Sequence, residues 1–299
     1  MEGSRYISRR SMLSAATAAA AGAIALPALA DEAKSADSAP ARLKGRIKHS
    51  LVNWCYAKYW KNPEMAAVAK QLGCASLELL EAENWDMVKS HGLTCAIASS
   101  HGFVKGLCDP KHWDYCFGIL HERIDQCAAA GVPSVITFTG MAKDISKEVG
   151  MDNCVAGFKK IIGYAEEKKV NLCLEMLNSR VNIEMKGHPG YHGDHTDYCI
   201  ELIKRVGSDR MKLLFDIYHV QIMDGDIISR IHQYKDFIGH VHTAGNPGRG
   251  ELDDTQEINY KPIMQALVDV GYKGYVGHEF IPTRDPLKGL QEAVAACDV

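Results

Sequence analysis

Four short apolar runs each close on a residue able to ligate a hard cation: Glu175 in LCLEML, Asp216 in LLFDIY, His242 in GHVHTA and Glu279 in VGHEF. They recur at intervals of roughly one strand-plus-helix unit, so neighbouring strands would carry one ligand apiece toward a common point. Singly, a strand-end carboxylate can cap the next helix and a lone His can be a satisfied core residue. Together, carboxylates gathered in a low-dielectric site repel one another unless a cation or protons intervene. A divalent metal removes that cost. Three carboxylates and one imidazole suit Mn²⁺ or Mg²⁺, with Co²⁺ able to substitute, better than a structural thiolate zinc. Such an ion acts as Lewis acid and template for a hydroxy-carbonyl compound, stabilising an enediolate while a base removes the proton beside the carbonyl. Glu175 and Glu279 are the expected proton carriers. Arg249, in the loop after His242, is expected to reach back to a substrate oxygen or carboxylate, steadied by Glu251.

The elements that must position these residues are legible as an alternation. Strands are expected at 47–54, 76–80, 94–100, 134–140, 170–177, 211–218, 237–244 and 274–280. Between them run stretches such as CVAGFKKIIGYAEEKK and TDYCIELIKRVGS, with apolar residues three or four apart as on an amphipathic helix. Near-continuously apolar strands separated by helices imply a parallel sheet covered on both faces. Eight such units over Arg46 to Val299 predict a closed (β/α)₈ barrel, an α/β fold in one domain of about 250 residues. An open doubly wound sheet is the alternative, but no GxGxxG follows the first strand and no GxxxxGK[ST] occurs. The absence of GxSxG argues against a serine hydrolase.

The beginning of the chain reads as an address. Arg9 and Arg10 precede an alanine-rich, weakly apolar run that closes on Ala28-Leu29-Ala30, so residues 1–30 are expected to be a twin-arginine signal directing export to the periplasm. Residues 31–45 are polar and expected to be a linker. That apolar run is short for a bilayer, so no stable membrane span is expected. A net charge of −3 with no basic stripe makes nucleic acid an improbable partner. The ten cysteines include no CxxC pair. Several sit within apolar segments, and a twin-arginine substrate folds in a reducing cytoplasm, so they are expected to be small core residues.

LEMLN, FDIYHVQIMDGD, HVHTAGNPGRGELDD, EINY and GYVGHEF together resemble the hydroxypyruvate isomerase branch of the xylose isomerase-like barrel superfamily, close also to the tagatose and psicose 3-epimerases. The likeness is continuous from about residue 170 to 290 and looser before it. It implies that Glu175, Asp216, His242 and Glu279 ligate the metal, that the two glutamates also handle the substrate proton, and that His219 hydrogen-bonds the substrate. Relatives commonly form dimers or tetramers, so a homo-oligomer is within expectation. The chain departs from the hydroxypyruvate isomerases at His242, where they carry Gln and the epimerases carry His. A small sugar or hydroxy-carbonyl compound is the expected substrate. A lyase acting on oxidised (keto) glycosides would use the same apparatus, and a non-catalytic exported carbohydrate-binding protein would keep the barrel without turnover. At the barrel mouth, Glu78 is expected either to meet the substrate or to support the rim, and His101 to meet the substrate, with Asn53 and Trp54 shaping the pocket. The histidines of KGHPGYHGDH, residues 186 to 195, are expected in a mobile lid or surface loop.

Overall fold

The computed structural model describes residues 41–141 and 144–299. The twin-arginine segment and most of the proposed linker lie outside the described residues. The linker's last residues do not behave as one: Ala41 N donates to Gln71 O at 2.9 Å, Lys44 N donates to the Asp298 carboxylate, and Leu43 packs on the core. The folded unit therefore begins before Arg46.

Seven parallel strands are formed: β1 (Lys48–Val52), β2 (Ser76–Glu78), β3 (Ser134–Thr137), β4 (Asn171–Glu175), β5 (Met211–Asp216), β6 (Ile238–Thr243) and β7 (Tyr275–His278), in the order β2-β1-β7-β6-β5-β4-β3. The expected eighth strand, 94–100, is present only as single parallel bridges, Ser76 to Thr94 and Ala98 to Val135. Ala98 N donates to Ser134 O at 2.9 Å and Ile136 N to Ala98 O at 3.0 Å, so this segment closes the ring between β2 and β3. Its irregularity has a local cause. Leu79 turns into the left-handed region at φ 57, ending β2 after three residues, and the pairing loses register there: Leu77 N donates to Thr94 O but Leu79 N to Ile97 O, two positions on one segment against three on the other.

Side chains alternate along each strand. Leu172, Leu174, Leu213, Phe215 and Val241 join the large core under the helices, whereas Cys173 and Leu214 belong to a smaller interior cluster with Ile97, Ile136 and Phe138. Helices such as Lys147–Lys168 and Thr196–Val206 cover the outer face and bury one stripe each. All ten cysteines are buried, as their apolar settings implied. Among the described residues, no helix is long and apolar enough to cross a membrane.

A second polar group lies apart from the barrel mouth. His49 Nδ1 is 3.1 Å from His278 Nε2, His278 Nδ1 is 3.0 Å from Thr243 Oγ1, and His49 Nε2 has no hydrogen-bond partner. Burial lowers the pKa of His49 to about 4, partly offset by Asp298. The unfolded chain binds this proton near pH 6.5, so the stability involved is present above that pH and is lost as the pH falls toward 4. At about 1.4 kcal/mol per unit, the window spans roughly 3.5 kcal/mol at most. Urea unfolding at pH 7 and pH 4.5 should show His49→Asn losing less stability on acidification than the wild type, and equal losses would contradict the assignment.

Candidate metal centre and active site

Glu175, Asp216 and His242 come from the C-terminal ends of β4, β5 and β6, and Glu279 follows β7 directly. Register explains why they meet: Asp216 lies opposite His242, and His242 opposite Gly277. One ligand atom from each of the four lies within 4.8 Å of the others, and all four side chains are buried. His242 Nδ1 is 3.2 Å from Glu279 Oε2 and 3.8 Å from Glu175 Oε1.

The hydrogen bonds leave a pattern of free atoms. Asp216 Oδ1 caps the helix Ile217–Met223 by accepting from Tyr218 N at 2.8 Å and His219 N at 3.3 Å, while Oδ2 has no partner. His242 Nε2 donates to Glu78 Oε1 at 2.8 Å, while Nδ1 has none. Glu175 Oε1 is likewise unpartnered. Buried polar atoms without partners are costly, and these three converge on one point lined by hard donors. The residues present thus fit a divalent cation.

The charges tell the same story. Burial raises Asp216 to about 7 against the pull of Arg249. Glu175 is also raised, first by burial and then by Glu279, with His242 opposing. Glu279 is held well below the carboxylate range because His242 and Arg249 outweigh its burial. His242 is pushed far above its usual value, since Glu279, Glu175 and Glu78 overcome its own burial. Among the protein's own groups, the cluster thus takes its positive charge from His242 and Arg249.

Arg249 lies where the loop after β6 adopts a left-handed backbone, φ 55 at a non-glycine residue, a conformation kept where surrounding structure enforces it. Its Nη2 donates to Glu279 Oε2 at 2.5 Å and lies 3.5 Å from Asp216 Oδ2, and Nη1 donates to Met185 O at 2.6 Å. The guanidinium also sits over Trp54 and Tyr218, 5.2 and 5.7 Å from their ring centres. Glu251 does not steady it: that carboxylate accepts from Thr283 N and Oγ1, both at 2.8 Å, and from Arg284 N. Arg249 orients Glu279, whose other oxygen accepts from Trp54 Nε1 at 3.0 Å.

A cavity of about 280 Å³ opens above the cluster. Its wall includes the polar Glu175, Glu279, Arg249, Trp54 and His188 and the apolar Leu79, Phe103, Phe138 and Leu177. His219 lies below it, fully buried, with Nδ1 accepting from Asn178 N at 3.1 Å. Burial and Arg249 hold its ring neutral, so the proton sits on Nε2, which has no protein partner and lies 3.6 Å from Asp216 Oδ2.

Two of the expected substrate contacts lie elsewhere. Glu78 is buried beneath the cluster, bonded to His240 and His242, and its carboxyl sits at about 2 because those imidazoles outweigh its burial. His101 is engaged in its own loop, with Nδ1 on Gly102 O and Lys105 O and Nε2 on Thr137 Oγ1. His101 has no ring nitrogen free for a ligand, and Glu78, whose Oε2 has no partner, lies outside the cavity wall. Conversely, the 186–195 segment is more than a surface loop: His188 packs against Phe103 with ring centres 4.3 Å apart and the rings tilted, and His192 is buried against Ser146 O and Tyr198. His240 was also overlooked. The i, i+2 spacing of HVH is the signal that places it on the same strand face as His242.

This is an α/β barrel with a side-chain cluster that could hold a metal, and the chain belongs to the xylose isomerase-like TIM barrel family, whose model matches residues 65–298. It is 38% identical over 245 residues to the Homo sapiens protein named "Putative hydroxypyruvate isomerase", covering 80% of this chain and 81% of that one. It is 30% identical over 177 residues to the 2-oxo-tetronate isomerase of Cupriavidus necator, 58% of this chain and 64% of that one. Of solved structures, the 3-keto-D-glucoside 4-epimerase of E. coli superposes with a TM-score of 0.69 at 19% identity, covering 83% of this chain and 98% of that one. At that identity the shared property is the fold.

Proposed function

We propose that the protein is a divalent-metal-dependent isomerase or epimerase of a small hydroxy-carbonyl compound or sugar. One observation carries this reading: of the four clustered ligand residues, the two glutamates also form the cavity wall, while Asp216 and His242 do not. A hard divalent ion, Mn²⁺ by preference with Mg²⁺ or Co²⁺ able to substitute, would supply Lewis-acid polarisation of the substrate's carbonyl and hydroxyl oxygens.

The chain's own residues supply the rest. Glu279, kept ionised by His242 and Arg249 and fixed by Trp54, is set to accept a proton from the carbon beside the carbonyl. Glu175 holds its proton more firmly and is set to return one. His219 Nε2–H is a donor for a substrate oxygen. The apolar wall of Phe103, Phe138, Leu79 and Leu177 keeps bulk water from the reacting carbons. A cavity this size is at the lower end for ligand sites, which favours a small substrate. The amino-terminal segment would carry the folded protein to the periplasm.

Product analysis tests the reading. Incubation of the Mn²⁺-supplemented protein with hydroxypyruvate, short ketoses and keto-glycosides should yield, from at least one, a product of unchanged mass. Fragments of lower mass would instead make it a lyase, and binding without conversion would leave only a carbohydrate-binding protein.

A further inference from the structure

Below the metal-ligand cluster, the barrel interior holds a carboxylate that the proposed reaction does not use. Glu78 stands on β2, yet its Oε1 accepts from Nε2 of both His240 and His242 on β6, at 2.8 Å each. The two strands are separated by β1 and β7 around the ring. The crossing is open because position 277 on β7 is glycine. A Cβ there would lie 2.6 Å from Glu78 Oε1 and 2.8 Å from His242 Cδ2, closer than side chains approach. All three polar side chains are fully buried, so no water competes for the contact.

An imidazole that donates through one nitrogen to a carboxylate presents the other as a lone-pair donor in fixed orientation, and the carboxylate raises its basicity. Here the bonded nitrogen of His242 is Nε2, and the free one is Nδ1, directed at Glu175 and Glu279. We propose that Glu78 is the positioning residue of the metal centre: it fixes His242 with Nδ1 toward the cation, His240 tethers Glu78 from the same strand, and Gly277 provides the passage. The proposal rests on the reading of His242 as a metal ligand. Glu78, His240 and His242 also have ligand atoms within 4.8 Å of one another. The two 2.8 Å hydrogen bonds already account for that proximity, so the trio serves the ion above it and does not hold a second one.

The test is Mn²⁺ titration of the full chain, following free Mn²⁺ by electron paramagnetic resonance, for the wild type, Glu78→Gln and Gly277→Ala. The wild type should bind one ion per chain. Glu78→Gln, which keeps the shape and removes the charge, should weaken binding by about 10- to 100-fold while the metal-free protein still unfolds cooperatively. Gly277→Ala, which wedges the pair apart with the charge intact, should weaken it in the same direction. A second readout needs no variant: in the Mg²⁺-loaded wild type, ¹⁵N-histidine NMR should find the proton of His242 on Nε2. A folded Glu78→Gln with a dissociation constant within about twofold of wild type would overturn the proposal, as would a proton on Nδ1 or two ions per wild-type chain. If Glu78→Gln does not fold, the NMR result decides. A wild type that binds no ion would remove the metal reading itself and this inference with it, whereas intact wild-type binding with an unaffected variant removes only the inference.

Discussion

Glu175→Gln and Glu279→Gln should each lower turnover by roughly 10²- to 10⁴-fold, the usual contribution of a positioned proton carrier. The amide keeps the volume and an oxygen for ligation but can neither accept nor return a proton. The two variants should differ in a second respect. Glu175 Oε1 has no protein partner, so its replacement disturbs little else. Glu279 Oε2 is paired with Arg249, and converting it to an amide leaves a buried guanidinium short of its counter-charge, so this variant should also melt lower. Steady-state kinetics on the substrate identified by the product screen, with Mn²⁺ occupancy measured separately, checks both. Full turnover in both variants would end the assignment.

Removal of divalent metal should abolish turnover and lower the melting temperature, and Mn²⁺ should restore both. Without a cation, three buried carboxylates share only His242 and Arg249 as positive partners, and Asp216 is pushed up to about 7 by burial. An ion bound by the folded state alone stabilises it by about 2.7 kcal/mol at 100 times its dissociation constant. For a domain of this size that is a rise of about 5 °C or more. Differential scanning calorimetry of chelator-treated and Mn²⁺-restored protein makes the comparison. A melting temperature indifferent to millimolar Mn²⁺ would contradict a metal in this cluster.

The sequence was most informative where a side chain's role depends on its own strand. Glu175, Asp216, His242 and Glu279 could be located because a parallel barrel places strand ends on one face, and their spacing then brings them together. All eight expected strands were visible as apolar runs, and seven of them form. The 94–100 segment looked equally regular, and only the left-handed turn at Leu79, on a different segment, interrupts its pairing. The residues misplaced from sequence are those whose partners lie across the barrel. Glu78 ends a strand like the ligands do, but whether it points at the cavity or at His242 depends on Gly277, two strands away around the ring. Arg249 was legible as a loop cation near the site, whereas its choice of Glu279 over Glu251 depends on how the loop after β6 folds back over Trp54 and Tyr218. His188 and Phe103 meet through two loops that sequence patterns do not register against each other.

The most direct test of the central claim is turnover in deuterated water by the Mn²⁺-loaded protein, with the carbon-bound positions of the product read by NMR and mass spectrometry. Deuterium should appear on the carbon beside the carbonyl at unchanged connectivity, and should be lost on chelation and in Glu175→Gln and Glu279→Gln. Product formed at full rate by the chelated protein, or formed with no deuterium on carbon, would contradict metal-assisted proton transfer by the two glutamates.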